Sequence, residues 1–194
     1  MPARRAAADD STTRNTILDA AEALMVNEGY AAVTSRRVAT LAGVNSALVY
    51  YYFDTMDGLF VALFRRGADR SFGRLEEVLT SAQPLWEFWE LIHDRSSSAR
   101  TMEFIALANH RKVIQAEIAE YSRKFRKREL DLLADVLVAY GLDPDRWPPS
   151  TIVLSLSGIS RFLLIEEAFG VETGHAETVA VIEREITALE GERR

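Results

Sequence analysis

Apolar residues recur along almost the whole chain with the spacing of α-helices. Near the N-terminus one helical stripe is formed by Ile17, Leu18, Ala21, Leu24 and Met25. Ser and Thr at positions 11–13 offer a cap for the start of this helix, and Gly29 is typical of its end. No stretch alternates convincingly with the period of a strand. The pattern therefore predicts an all-α protein.

Caps, glycines and prolines divide the rest of the chain into further helices, about nine in all with short connections. Ser96–Ser98 is predicted as a loop. The predicted helices after Gly29 span residues 35–42, 46–53, 56–80, 85–95, 101–110, 113–140, 150–169 and 176–189. We place an N-terminal three-helix head at 1–55 and a C-terminal helical body at 56–194.

Two of these helices are short and are separated by a tight turn at Gly43-Val44. Thr34 and Asn45 are suited to cap their N-termini. Two short helices joined by a three-residue turn with a glycine form a helix-turn-helix, and Ala39 is small where they would cross. The second helix can then enter the major groove of DNA. Spacing alone leaves a plain helix–helix packing unit as an equal alternative.

The stretch from Gly29 to Leu59 carries a set of residues with a characteristic spacing. They are Gly29, Thr34, Val38, Ala39, Ala42, Gly43, Val44, Val49, Tyr50, Tyr52, Phe53 and Leu59. At these positions the stretch resembles the signature of the TetR family of bacterial transcriptional regulators. Asn45 replaces the usual Ser or Thr, and Ala47 replaces Gly. Met56 replaces a Lys that normally donates to a phosphate, so the resemblance does not imply that backbone contact here.

The resemblance implies DNA contacts by position. Arg36 is placed for a base edge or a phosphate. Ala47 and Leu48 are apolar, which favours contact with thymine methyl groups. Thr34 has the competing role of a cap alone. The residues implied to face bases are Ser46, Ala47 and Leu48, and those implied to contact phosphates are Thr34, Ser35, Asn45, Tyr50 and Tyr51.

The body concentrates aromatic and aliphatic side chains on consecutive helices, which indicates either a solid core or a cavity. The resemblance favours a cavity, because family members commonly bind an effector in the body. Arg161 is one polar group that can orient such a ligand. The apolar candidates for effector binding are Trp86, Trp89, Phe104, Leu107 and Ala108.

The helix over 150–169 is apolar nearly all round and cannot bury itself against the body alone. Together with the last helix it is typical of half of an isologous four-helix interface, and the resemblance implies the same. The candidate interface residues are Ile152, Leu156, Ile159, Leu163, Val179, Ile182 and Ile186.

Charge and composition narrow the function further. The 194 residues carry a net charge of −6 and no Cys. Residues 1–72 hold eight Arg against eight acidic residues, so the acid excess falls in the body. Without Cys, a metal-binding His motif, a nucleophile elbow or a phosphate-binding loop, the sequence predicts no enzyme, no cofactor and no metal site. No apolar leader is present and the longest uncharged run, residues 38–53, has 16 residues, too few to span a bilayer, so we expect a cytoplasmic protein.

The sequence thus predicts a ligand-responsive repressor that binds a palindromic double-stranded operator as a homodimer and responds to a small apolar effector. The alternative is a helical protein-interaction module that no longer binds DNA, which Met56 and the acidic total favour slightly.

Overall fold

The computed structural model describes residues 2–194, apart from the side chains of residues 2–9 and 79. Within these residues it contains nine α-helices, one short 3-10 helix at Tyr30–Ala32 and no strand. The all-α prediction is confirmed. The helices are α1 (Pro2–Glu28), α2 (Ser35–Ala42), α3 (Ser46–Phe53), α4 (Met56–Leu79), α5 (Pro84–Ile92), α6 (Arg95–Ala108), α7 (Lys112–Ala139), α8 (Pro149–Glu167) and α9 (His175–Glu190).

The first helix is longer than its sequence pattern predicts. α1 begins at Pro2 rather than at a cap near residue 12, because residues 3–8 are four Ala and two Arg, all strong helix formers. Thr16 Oγ1 donates back to the carbonyl oxygen of Thr12 at 3.0 Å, as hydroxyls inside a helix do. The predicted stripe is buried, and the helix ends before Gly29, whose φ is +84°.

The predicted loop at Ser96–Ser98 is wrong, because Asp94 starts a helix there. Its Oδ1 accepts hydrogen bonds from the backbone nitrogens of Ser96 at 2.9 Å and Ser97 at 3.3 Å, which satisfies the free amides of the first turn of α6. Burial alone would raise the pKa of Asp94, but these bonds and the Arg74 side chain outweigh it and lower the pKa to about 2.

The start of α5 is capped by a residue from the end of the chain. Pro84 occupies the first turn, and the Glu190 carboxylate accepts hydrogen bonds from the backbone nitrogens of Leu85 at 2.8 Å and Trp86 at 3.1 Å. The Tyr140 hydroxyl donates to the same carboxylate at 2.8 Å. Burial and this partner raise the pKa of Tyr140 to about 12. The three helices α5, α7 and α9 are therefore tied together at one point.

The chain forms two compact units. The first contains the residues up to Asp69 together with Ala99–Tyr121, and the second contains Arg70–Ser98 and Ser122–Arg194. Each has its own apolar core. The first core is built on α1, α2, α3, the first half of α4, part of α6 and the start of α7, and the second on the second half of α4, α5, the rest of α7, α8 and α9.

Candidate DNA-binding helix-turn-helix and surfaces of the second unit

The first helix of the predicted helix-turn-helix begins at a side-chain cap. Thr34 has extended backbone angles, and its Oγ1 accepts from the backbone nitrogen of Arg37 at 3.4 Å. Val38 and Ala39 are buried against α1, whereas Arg36 and Thr40 face solvent. The apolar side of α2 therefore holds it on the core and leaves its polar side open.

The turn between α2 and α3 depends on Gly43. This residue is left-handed, with φ +67° and ψ +29°, a conformation that a side chain disfavours. Its backbone nitrogen donates to the Thr40 carbonyl at 3.3 Å, and the backbone nitrogen of Val44 donates to the Ala39 carbonyl at 3.0 Å. This pair of bonds closes the end of α2 as a Schellman motif and redirects the chain into α3.

The second helix starts at Asn45, whose Oδ1 accepts from the backbone nitrogen of Ala47 at 2.8 Å. Val49 and Phe53, 1% and 6% exposed, anchor α3 in the first core. The opposite side is open, and Tyr50 and Tyr51 are 47% and 71% exposed. Such exposure of two tyrosines on a well-packed helix is unusual for a core element and is expected of a recognition helix.

The structure brings the predicted DNA-contacting residues onto two adjacent helix N-termini and the open side of α3. Two of them, Ser35 and Leu48, are half-buried. Leu48 also packs against the first core. The Tyr50 hydroxyl donates to Ser35 Oγ at 3.2 Å, which links the two helices at their exposed side. The remaining ones are solvent-exposed: Thr34, Arg36, Asn45, Ser46, Ala47, Tyr50 and Tyr51.

The two neighbouring arginines of α2 differ in their surroundings. Arg37 Nη2 lies 2.6 Å from Oε1 of Glu28 at the end of α1, so its charge is already compensated. Arg36 is exposed, and no ion pair of its side chain is recorded among the described residues. Arg36 is therefore the cation of α2 that is available to a phosphate or a base edge.

The junction of α3 and α4 is tightly constrained. Thr55 Oγ1 accepts from the backbone nitrogen of Gly58 at 3.0 Å and so caps α4. A Cβ atom at Gly58 would lie 2.0 Å from the Phe53 carbonyl oxygen, so only glycine fits there. Met56 follows the cap at the first position of α4, and its half-buried side chain packs against the first core.

Sequence reasoning missed a charged contact on the turn that precedes the helix-turn-helix. Glu103 Oε2 in α6 accepts from the backbone nitrogen of Tyr30 at 2.6 Å. Arg100, one turn earlier, lies 3.0 Å from Glu22 of α1. These contacts join residues more than 70 positions apart and have no local sequence signal. The Glu103 contact fixes the 3-10 turn that precedes α2, and the Arg100 contact ties α6 to α1.

The predicted effector-binding residues fall into two different cores. Trp86 and Trp89, 7% and 3% exposed, belong to the second core. Phe104, Leu107 and Ala108 are buried in the first core. Arg161 is exposed on α8. The six candidates are thus divided between the first core, the second core and the exposed side of α8, since the periodicity of a helix does not say which neighbouring core each residue joins.

Two of the surface depressions of the protein lie within the second unit. One, of about 410 Å³, lies between α8 and α9 and includes Ile159, Phe162, Glu166 and His175. The other, of about 440 Å³, is lined by both tryptophans of α5 together with four polar residues: Glu90, His93, Glu183 and Arg193. Among the described residues no group of three or more His, Asp or Glu is arranged to hold a metal ion.

The predicted dimer residues lie mainly on the inner sides of α8 and α9. Leu163, Ile182 and Ile186 are buried within this chain. The other four are half-buried and pack against the second core: Ile152, Leu156, Ile159 and Val179. The apolar side chains that stay exposed come from neighbouring positions. They are Leu154, Phe162, Phe169 and Val171 on and just after α8, and Val181 on α9.

Helix α8 also meets the length and composition of a membrane span, with a mean hydropathy of 1.2 over 18 residues, of which 17% are buried. Arg161 and Glu166 lie within the helix. An apolar helix with so few buried residues is expected to pack against another surface.

Comparisons with known proteins agree with this geometry. Residues 17–63 match the family model for bacterial regulatory proteins of the tetR family. The HTH-type transcriptional repressor KstR2 of Rhodococcus jostii RHA1 is 32% identical over 78 residues, and that match spans 38% of each protein. The remaining length of this curated relative is not matched.

Solved structures extend the likeness in fold to most of the chain. A transcriptional regulator of Rhodococcus sp. RHA1 superposes with a TM-score of 0.68 at 18% identity, covering 93% of this chain and 99% of that one. The multidrug binding protein EbrR, solved with imidazole, superposes with a TM-score of 0.56 at 24% identity, covering 79% and 85% of the two chains. At these identities the likeness concerns the fold.

Proposed function

We propose that this chain is a ligand-responsive repressor of the TetR family of bacterial transcriptional regulators, which binds a palindromic operator as a homodimer; residues 17–63 match the family model. The observation that supports the DNA-binding part is the exposed side of α3, with two tyrosines open to solvent, beside the exposed caps Thr34 and Asn45 at the N-termini of α2 and α3. Helix N-termini and hydroxyls bind phosphates, and a small side chain such as Ala47 allows close approach to a base pair.

The proposed DNA contacts are the predicted ones, with Arg36 as the principal cation. The small number of available cations affects how the protein binds DNA. Since the net charge is −6, attraction to DNA rests on a few local contacts rather than on a broadly basic surface. We expect such a protein to discriminate strongly between its operator and other DNA, because nonspecific binding depends on phosphate neutralisation.

The homodimer is supported by the uncovered apolar stripe on α8. Leu154 and Phe162 are 59% and 58% exposed, and Gly158 lies between them at i+4 spacing with open space where a Cβ would be. A second copy can lay its own α8 against such a stripe, because an isologous contact needs one self-complementary surface. Two heads held in this way would occupy successive major grooves of a palindrome.

A membrane would be a rival covering for α8. Arg161 and Glu166 within the helix make insertion costly, and the family relation favours a protein partner. We accordingly propose a cytoplasmic homodimer. The small apolar effector of the proposal would act by binding the DNA-competent and DNA-free states with different affinities.

The test is a gel shift with duplex DNA that flanks the chain's own coding region, combined with sedimentation of the protein alone. We expect a specific shift whose affinity falls steeply with salt, and a dimer at micromolar concentration. If no flanking duplex is shifted at low salt by a folded protein, the alternative of a helical protein-interaction module without DNA binding is correct.

A further inference from the structure

The depression beside the two tryptophans of α5 has features of a built site. It has a volume of about 440 Å³ and lies entirely within the second unit. Its sides come from α5, α9 and the last residues of the chain. Its lining residues are Trp86, Trp89, Glu90, His93, Glu183 and Arg193.

The imidazole of His93 is held in one orientation. Its Nδ1 lies 2.9 Å from Oγ of Ser160, and the Ser160 hydroxyl lies 2.9 Å from the carbonyl oxygen of Ile92. A carbonyl only accepts, so the serine proton is committed to Ile92, and Nδ1 must carry the proton that it donates to Ser160. In the neutral ring, Nε2 is therefore a hydrogen-bond acceptor.

The neutral ring is favoured at this position. Burial lowers the pKa of His93, and the nearby positive charge of Arg95 acts in the same direction, while Glu167 and Glu183 oppose it. The ring also stacks on Trp89, with centroids 4.8 Å apart and planes 19° from parallel. The hydrogen bond recorded for this ring within the described part of the chain is made by Nδ1, which leaves Nε2 to accept from a donor.

The charge of the lining is negative. Arg193 is engaged by Glu90 through two hydrogen bonds of 2.7 Å, so this pair is neutral overall. Glu183 is partly exposed and is in no recorded ion pair within the described residues. The lining residues of the depression thus include one carboxylate without a recorded ion-pair partner and one histidine with an acceptor nitrogen, which favours a cationic donor and disfavours an anion.

Hydrogen bonds and stacking fix the positions of the two tryptophans that line the depression. Trp86 Nε1 donates to the carbonyl oxygen of Gly191 at 2.9 Å, and its backbone is capped by Glu190. Trp89 is fixed by its stacking on His93. Rigid indole edges beside a carboxylate suit a ligand whose apolar body follows its charged end.

We propose that this depression binds a small protonated amine with an aromatic or other apolar body, the ammonium group donating to His93 Nε2 and to the Glu183 carboxylate. This site would be the effector site of the regulator, an extension that rests on the proposed function. The proposal that the depression binds an amine does not depend on the proposed function.

The probes are 2-phenylethylamine and 3-phenylpropionate, which are similar in size and opposite in charge. The full-length chain is titrated with each, and binding is followed by tryptophan fluorescence and by calorimetry. We expect saturable binding of the amine that alters tryptophan emission, and no binding of the acid in the same range. Equal binding of both probes, or binding of neither, overturns the proposal.

Glu183→Gln provides the decisive variant, because it removes the charge of a partly exposed residue and preserves its shape. We expect the amine to bind about tenfold more weakly or worse, since a charge-assisted hydrogen bond is lost. The control is Glu185→Gln, two positions along α9, whose side chain is 70% exposed and outside the depression. Unchanged amine affinity in Glu183→Gln, or equal losses in both variants, refutes the assigned contact.

Operator binding is scored separately by gel shift in the absence of any amine. If the protein binds its operator but not the amine, the proposed function stands and the amine site is refuted. If the protein binds the amine through Glu183 but shifts no DNA, the amine site stands and the proposed function is refuted.

Discussion

The hydroxyl of Tyr50 donates a hydrogen bond to Oγ of Ser35 over 3.2 Å, linking the exposed side of α3 to the first turn of α2. Ser35 is the first residue of α2, where backbone amides are free to bind an anion. Because the two hydroxyls are within bonding distance of each other, one phosphate oxygen can reach both. The two side chains are thus suited to act on one phosphate as a pair.

Tyr50→Phe should weaken binding to the operator and to unrelated duplexes alike, by about 1 kcal/mol, since a phosphate contact carries no sequence information. Titration of fluorescent duplexes measures both affinities. Tyr52→Phe is the matched control, because the Tyr52 hydroxyl instead donates to Asp10 at 2.7 Å. Equal losses in the two variants would contradict the role given to Tyr50.

Arg36 and Arg37 form a natural comparison, since they are adjacent and only Arg37 is paired, with Glu28 at 2.6 Å. Arg36→Ala should cost about 1–3 kcal/mol of operator affinity and relax specificity at one position if Arg36 reads a base. If it binds a phosphate, the loss should be uniform across sequences and the salt slope should fall by about one. Arg37→Ala should have a smaller effect. The reverse ranking would refute this assignment.

Met56→Lys tests the departure from the family signature at the start of α4. The new cation should strengthen DNA binding and steepen the salt dependence by nearly one unit of slope. Asp57 follows at once and pairs with Arg111, so it does not neutralise the new charge directly. Met56→Gln separates charge from loss of the half-buried methionine. If Met56→Lys leaves the slope at the wild-type value, the DNA backbone passes elsewhere.

The helices could be predicted because the residues that begin and end them lie at the helix boundaries themselves. Thr34 and Asn45 cap α2 and α3 as predicted, and Gly43 takes the left-handed conformation that ends α2. Ser96–Ser98 was predicted as a loop from composition, whereas the Asp94 side chain turns the same serines into the first turn of a helix. A cap changes the outcome because it satisfies backbone groups that composition alone does not count.

The site residues were less predictable because burial depends on distant partners. On α8 two apolar stripes compete, and periodicity cannot say which one packs inward. Leu163 is predicted on the dimer surface and is buried within this chain, while Phe162, its neighbour, is exposed. The contact between Glu103 and the backbone of Tyr30 joins residues 73 positions apart and leaves no pattern in the sequence.

Phe162→Arg should dissociate the proposed dimer, because it places a charge in the centre of the exposed stripe of α8. The measure is sedimentation velocity over a range of protein concentrations, with thermal unfolding to show that the chain stays folded. Val138→Arg is the control, since Val138 is an apolar residue of α7 that is similarly exposed, at 61%, and is not part of the stripe on α8. A dimer that survives Phe162→Arg would place the interface elsewhere.

One buried acid gives the chain a pH-dependent stability. The side chain of Glu129 in α7 is 5% exposed, and its nearest recorded cation is Arg126, whose Nε lies 3.5 Å away. Burial raises the pKa of Glu129 from 4.5 to about 7, against the opposing attraction of Arg126 and Arg161. The folded state therefore holds this proton more tightly than the unfolded chain does.

The sign of the effect follows from proton linkage. Below pH 4.5 the Glu129 carboxyl is protonated in both states, so no charge is buried on folding. Above about pH 7 the folded protein must keep a buried carboxylate. The stability of the folded state therefore falls as the pH rises between these values. Glu129→Gln keeps the shape and stays neutral. It should raise the melting temperature at pH 8 and change it little at pH 5. The control is Asp131→Asn, which removes a half-exposed acid of the same helix that is paired with Lys127 at 2.7 Å. Its effect on melting should be similar at both pH values. A Glu129→Gln variant that is destabilised at pH 8 would show that the ion pair with Arg126 outweighs the cost of burying the charge.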